Sequence, residues 1–114
     1  EIVKIVSKND EENENALIDA VNEGCIEDAK KLLTEGVDVN VKRAGGMTPL
    51  HLAASNGQET MVALLHSEGA DVNSKDVDGE TPLDWAVDKG CDETADLLRK
   101  HGGKTAEELK AEGK

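Results

Sequence analysis

A spacing of 33 residues recurs along this chain and constrains its fold more than any other feature. Glycine stands at 24, 57 and 90, and four further sets of residues keep the same step without insertion or deletion: Leu17, Leu50, Leu83; Ala20, Ala53, Ala86; Leu32, Leu65, Leu98; Gly36, Gly69, Gly102. Periods of this size are typical of arrays in which each repeat packs only on its neighbours. The spacing therefore predicts a stack of three similar units within one domain.

Each copy of the repeat reads as helix, turn, helix and loop. Thr48-Pro49 and Thr81-Pro82 place an N-cap hydroxyl before a proline at the first helical position. The glycines at 24, 57 and 90 end the first helices, because a chain that leaves a helix often needs a left-handed residue. Apolar residues at helical spacing then predict second helices that end at Gly36, Gly69 and Gly102, and tight turns are expected at Gly45-Gly46 and Asp78-Gly79.

The strings TPLHLAASNG, at 48–57, and GADVN, at 69–73, resemble a nearly consensus ankyrin repeat. The third copy departs from that pattern at Asp84 and Trp85, where the family usually has His and Leu. The first copy, NALIDAVNEG at 15–24, lacks both Thr-Pro and His. Terminal repeats of a solenoid need a polar outer face and are expected to be atypical.

The resemblance implies an all-α ankyrin-repeat solenoid of three helix-turn-helix repeats with short connecting loops. The expected units are an N-terminal polar extension, an N-terminal capping repeat, one internal repeat, a C-terminal capping repeat, and a capping helix with a tail: 1–14, about 15–47, 48–80, 81–103 and 104–114. Thr105 with Glu108 predicts a capping box for the last helix, Ala106 to about Ala111, and Leu109 is expected to cover the end of the stack. The alternating stretch Glu1–Val6 fits an edge strand or a disordered segment.

Composition restricts the partners of the chain. The formal net charge of -12 disfavours nucleic acid, and it fits either plain solubility or a partner protein with a basic surface. The longest apolar run, at 61–65, is far below the roughly 20 residues of a membrane-spanning helix, so we expect a soluble monomer. The first residue is Glu1, which indicates a processed or trimmed end or part of a longer chain, and both cytoplasmic and exported locations stay open.

Two strings that suggest ligand chemistry fail closer tests. Gly103-Lys104-Thr105 resembles the end of a phosphate-binding loop, but Leu98 stands where that motif needs its first glycine. A calcium loop aligned on Gly79 places Trp85 where a bidentate Glu belongs. No nucleotide, metal or cofactor is therefore expected.

Histidine and cysteine give no sign of an enzyme. His51, His66 and His101 have no second ligand at metal spacing, and the resemblance assigns His51 a structural hydrogen bond between repeats. Cys25 and Cys91 are two periods apart, roughly 20 Å in a stack of helices packed about 10 Å apart, which is too far for a disulfide.

The resemblance implies protein–protein recognition through the concave face, formed by the loop tips and the exposed ends of the first helices. The predicted partner-binding residues are Arg43, Ala44, Met47, Ser55, Asn56, Asp76, Val77, Asp78, Glu80, Asp88 and Lys89, with Gly45, Asn22 and Glu23 at matching positions. Trp85, which takes the place of a core leucine, is expected to be buried under the C-terminal cap. Two other hypotheses stay open: a structural fragment of a longer or self-assembling solenoid, and an inhibitor whose acidic face mimics a charged substrate.

Overall fold

A computed structural model describes residues 14–112 of the chain, and this part is entirely helical apart from turns and loops. The helices are α1 (14–23), α2 (Ile26–Thr34), α3 (Pro49–Ser55), α4 (Glu59–Ser67), α5 (Pro82–Asp88), α6 (Asp92–Lys100) and α7 (Ala106–Ala111), and a short 3-10 turn covers Ala44–Gly46. The predicted fold class is confirmed. The predicted strand at Glu1–Val6 lies outside the described residues.

Local sequence sets the helix boundaries as predicted. Thr48 and Thr81 cap α3 and α5, each with proline in the first turn, and Thr105 forms the expected capping box with Glu108 at α7. The glycines that follow the helices adopt left-handed backbone angles. Helices of seven to nine residues are marginal in isolation, so their stability comes from packing between repeats.

The first helices of the repeats form one layer and the second helices form another. The core between the layers holds equivalent apolar side chains from all three repeats, with Leu17, Leu50 and Leu83 no more than 1% exposed. Leu65 and Leu98 are fully buried, whereas Leu32, their counterpart in the first repeat, is only partly buried. Leu32 lines an open groove at the outer side of the first repeat, where no preceding repeat lies among the described residues.

Two asparagines join each repeat to the main chain of the next, a role that sequence analysis missed. The Asn40 side chain donates to the Gly69 carbonyl at 3.2 Å and accepts from the Asp71 N–H at 2.8 Å. Asn73 repeats this pattern with the Gly102 carbonyl and the Lys104 N–H at the same distances. The recurrence of Asn at this step was the available sequence signal.

The C-terminal helix α7 is attached mainly through polar contacts. The Thr81 hydroxyl donates to the Lys104 carbonyl at 2.6 Å, and Arg99 forms an ion pair with Glu108. Leu109 is only partly buried and lies outside the apolar core cluster. Gly103, the supposed phosphate-loop glycine, is buried because a Cβ there would lie 2.7 Å from the Leu98 carbonyl oxygen.

Trp85 does not lie buried under the cap, and that prediction is wrong. Its side chain is half-buried, and its indole Nε1 donates to the Asp76 carboxylate on the preceding loop at 2.9 Å. The physical reason is visible in the internal repeat, where the equivalent Leu52 is also only half-buried. The position faces the loop tips rather than the center of the core.

None of the helices in the described part of the chain combines the length and the apolar character needed to span a bilayer.

Candidate functional site

Two loop tips occupy equivalent places in the repeats and form the start of the candidate site. Tip 1 is Arg43–Met47 and tip 2 is Asp76–Glu80. The Arg43 N–H donates to the Met47 carbonyl in tip 1, and the Asp76 N–H donates to the Glu80 carbonyl in tip 2, both at 2.9 Å. Each tip is therefore a closed turn that holds its side chains in fixed positions.

The two tips are in direct contact. The Val77 N–H donates to the Gly45 carbonyl at 2.9 Å, which joins the tips through the main chain. This approach requires glycine at 46, because that residue has a φ of +72° and a Cβ there would lie 2.9 Å from the Val77 nitrogen. The predicted tip residues of both loops thus belong to one continuous surface.

Asp76 organises tip 2 from within. It is 7% exposed, and its carboxylate accepts hydrogen bonds from the N–H groups of Asp78 and Glu80 and from Trp85, each at 2.9 Å. Burial alone would raise the pKa of Asp76, but these three hydrogen bonds outweigh it and hold the pKa below its ordinary value. Asp76 is therefore placed to position the loop rather than to touch a partner.

Trp85 and Lys89 connect tip 2 to the exposed side of α5. The two residues are one helical turn apart, and the Lys89 ammonium lies 5.8 Å from the center of the Trp85 ring. This distance is within the range of a cation–π contact. Since Trp85 is also bonded to Asp76, the tip and the helix form a single surface at this point.

We use the name candidate face for this surface and the equivalent surface of the internal repeat. Its predicted residues other than Asp76 are at least partly accessible to solvent. Val77 is the most exposed large apolar side chain described, at 76%, and Met47 and Ser55 are partly buried. The remaining predicted residues are exposed: Arg43, Ala44, Asn56, Asp78, Glu80, Asp88 and Lys89.

The ends of the first helices also meet across repeats. The Asn56 side-chain amide donates to the Asn22 side-chain oxygen at 3.5 Å, so the C-terminal ends of α3 and α1 are neighbours. Asn22 and Glu23 are both exposed. The helix-end residues predicted from the repeat pattern therefore continue the candidate face toward the first repeat.

Negative charge is concentrated at tip 2. Partial burial raises the pKa of Glu80, and the neighbouring carboxylates raise it further: Asp76, Asp84, Asp78 and Asp88. A group whose charged form is disfavoured in this way gains from an approaching cation. The third-repeat side of the candidate face is thus electrostatically suited to a positively charged group.

The carboxylates of Asp76, Asp78 and Glu80 come close enough to one another to be considered as metal ligands. One oxygen from each lies within 4.8 Å of the others. Both oxygens of Asp76 already accept N–H hydrogen bonds, and Asp78 and Glu80 are exposed. We assign no metal to the cluster, because exposed acidic groups are common without one.

His51 is part of the scaffold. It is fully buried, and its Nδ1 accepts from the Thr48 N–H at 3.2 Å while its Nε2 lies 2.9 Å from the Glu80 carbonyl. An acceptor at Nδ1 places the proton on Nε2, which therefore donates to Glu80. Burial lowers the pKa of His51, so the ring is neutral near pH 7. The bond links α3 to tip 2.

Asp84 replaces this histidine in the third repeat and makes a different connection. Its Oδ2 accepts from the Thr81 N–H at 3.0 Å and from the Ala106 N–H at 2.9 Å. The first turn of α7 offers N–H donors, for which a carboxylate is the better partner. The departure from the repeat pattern therefore serves the attachment of α7.

The two cysteines do not pair. Cys25 and Cys91 are free, and both are partly buried in the turns between first and second helices.

Comparisons with known proteins identify a match over most of the chain. The family model described as ankyrin repeats (3 copies) matches residues 17–108. No curated protein matches the chain.

Proposed function

Because the chain belongs to the ankyrin repeat family, whose members generally act as non-enzymatic protein–protein interaction modules, we propose that it binds a partner protein through the candidate face, the concave surface of such arrays. The proposed contact residues are the predicted set without Asp76, which acts by positioning tip 2. The partner is a protein with a basic surface, bound by a monomer of this chain.

The continuity of the candidate face carries this proposal. Tip 1 and tip 2 are joined by the bond between Val77 and Gly45, and tip 2 is joined to α5 by the bond between Asp76 and Trp85. A surface fixed by main-chain and buried contacts loses little conformational entropy on binding. The exposed side chains on it can vary without disturbing the core.

The charge of the same face supports a basic partner. Carboxylates crowd around Glu80 and raise its pKa, after the effect of its partial burial. An incoming lysine or arginine would relieve this repulsion. The overall charge of -12 would also speed the approach of a positively charged protein.

A second candidate function is assembly into a longer solenoid. Val87 is 53% exposed, whereas its equivalent in the internal repeat, Ala54, is fully covered by the next repeat. An apolar residue at this outward position favours a further repeat or a second copy against the third repeat. Light scattering that shows a concentration-dependent oligomer would support this function over the monomeric module.

The test of the first function is a pull-down from cell extract with the wild-type chain and a variant altered at the candidate face. The variant carries Met47→Ala, Asn56→Ala, Val77→Ala and Lys89→Ala. We expect a protein retained by the wild type to be lost from the variant, because the substitutions remove side-chain contacts without touching the core.

A matched control variant carries the same number of substitutions on the second-helix layer: Lys30→Ala, Thr34→Ala, Thr60→Ala and Ser67→Ala. All four are exposed positions, and this variant also loses one positive charge. Both variants are first checked for wild-type helicity and melting temperature. Equal retention by the two variants would contradict the proposed site.

A further inference from the structure

We propose that the third-repeat end of the candidate face is a subsite for an arginine side chain of the partner, stacked on Trp85 and paired with Glu80 and Asp78. This inference rests on the proposed function and specifies the chemistry of the partner. It depends on three features of the described chain: the accessible indole, the crowded carboxylates beside it and the cation that already lies over the ring.

The position of the indole is fixed. Its Nε1 donates to the Asp76 carboxylate at 2.9 Å, and Asp76 is itself held by the main chain of tip 2. The ring is half-buried, so part of its surface remains available. A fixed aromatic side chain provides a stacking surface at a small entropic cost.

The ring surface already accepts a cation within the chain. The Lys89 ammonium lies 5.8 Å from the ring center. Lys89 is exposed and sits on the flexible end of its own side chain, so a stronger cation can displace it. We interpret Lys89 as an internal occupant of the position that the partner's arginine takes.

The carboxylates stand at the edge of this aromatic surface. Oxygens of Asp78 and Glu80 lie within 4.8 Å of an Asp76 oxygen, and Asp76 is bonded to the indole. Asp78 and Glu80 are exposed and available for new hydrogen bonds. Their mutual repulsion is relieved when one cation lies between them.

Arginine fits this arrangement better than lysine. Its planar guanidinium stacks on an aromatic ring and offers several N–H donors at once, so it can contact the indole and a carboxylate together. Val77, 76% exposed at the same tip, provides an apolar neighbour for the methylene groups of the arginine. A lysine ammonium would satisfy the charge but not the stacking.

The test is a titration with the peptide acetyl-Gly-Arg-Gly-amide at fixed ionic strength. Trp85 is the only tryptophan and the chain has no tyrosine, so intrinsic fluorescence reports this site alone. We expect a saturable change with a dissociation constant on the order of millimolar, a normal affinity for a single side chain. The same peptide with citrulline, which is neutral, is expected to give no change.

Matched pairs of variants separate the subsite from general attraction to an acidic protein. Glu80→Gln is expected to weaken binding about fivefold, whereas Glu68→Gln, an exposed change of equal charge at the end of α4, has little effect. Lys89→Ala is expected to strengthen binding about threefold by removing the internal cation, and Lys30→Ala on α2 to leave it unchanged.

Trp85→Leu tests the aromatic surface by calorimetry, since it removes the fluorophore. This substitution restores the residue of the internal repeat, Leu52, and is compatible with the fold. Loss of arginine binding supports the inference. Unchanged binding, or equal effects within the variant pairs, or equal binding of a lysine peptide, overturns it.

The pull-down with the four-residue variant remains a separate measurement. A partner that is lost from that variant, together with failure of the arginine titration, overturns this inference and leaves the proposed function standing. Failure of both experiments overturns both.

Discussion

Two equivalent segments, 43–57 and 76–90, share one backbone plan but differ in how side chains complete it. Each has a closed loop tip, a threonine N-cap followed by proline, and a helix ended by glycine. In the first segment tip 1 depends on Gly45 and Gly46, whereas in the second the buried carboxylate of Asp76 organises tip 2. The same fold is thus reached through backbone freedom in one repeat and through side-chain hydrogen bonds in the other.

The helices of the two segments differ in the direction of their hydrogen bonds. His51 donates to a carbonyl of the following loop, while Asp84 accepts from an N–H of α7. The difference matches the neighbour on the C-terminal side, which offers an acceptor in one case and a donor in the other. A capping repeat therefore departs from the consensus where its neighbour changes.

Exchanging these two residues should give the largest effects. We expect His51→Asp to destabilise the fold by about 3 kcal/mol, because it buries a carboxylate against the Glu80 carbonyl. Asp84→His should cost only about 1 kcal/mol, since it loses one partly buried bond to Ala106. Urea denaturation of the two variants provides the measurement, and equal losses would contradict the role assigned to hydrogen-bond direction.

Removing the side chains at the start of the two tips should also separate the segments. Asp76→Ala leaves the N–H groups of Asp78 and Glu80 and the Trp85 indole without their acceptor, so a loss of about 2 kcal/mol is expected. Arg43→Ala removes an exposed side chain and should change stability by no more than about 0.5 kcal/mol. Thermal denaturation checks both, and a large effect at Arg43 would show that tip 1 also depends on its side chain.

Glycine substitutions test the contact between the tips. Gly46→Ala should cost about 2 kcal/mol, because both its φ and the close Val77 nitrogen oppose a Cβ. Gly79→Ala has a similar φ but no neighbour within 4 Å of the Cβ, so about 1 kcal/mol is expected. Chemical denaturation measures the difference, which should vanish if the tips separate in solution.

A smaller effect is expected from acid. The pKa of Asp76 is lower in the folded chain than in the unfolded chain, because its hydrogen bonds outweigh its burial. Its contribution is therefore complete above the unfolded pKa of about 3.9 and is lost as the pH falls through the folded pKa. The stability difference between wild type and Asp76→Ala should be constant from pH 5 to 7. It should shrink in stronger acid, and a constant difference throughout would contradict the ionised role of Asp76.

The fold was predictable because its signals are local and repeated. Thr-Pro pairs, glycines and apolar spacing each act within a few residues, and the 33-residue step repeats them. Trp85 was misplaced because its partner, Asp76, is on another element, and a pattern of core leucines does not show that Leu52 is only half-buried.

The candidate site was less accessible to sequence reasoning. The repeat pattern located the two tips and the helix ends, but it treated Asp76 as equivalent to the exposed Arg43. Burial at this position depends on whether the side chain can accept hydrogen bonds from the loop, and only the carboxylate can. Which residues of the candidate face contact a partner remains a prediction.

The asparagine bridges have a consequence for how such chains change in length. Asn40 and Asn73 bond only to main-chain groups of the following unit, at its closing glycine and two residues beyond it. Main-chain groups are the same whatever side chains the unit carries. A duplicated or exchanged copy that keeps the 33-residue register would therefore be held by the same bridges, so gene duplication can extend the array while the exposed residues diverge freely.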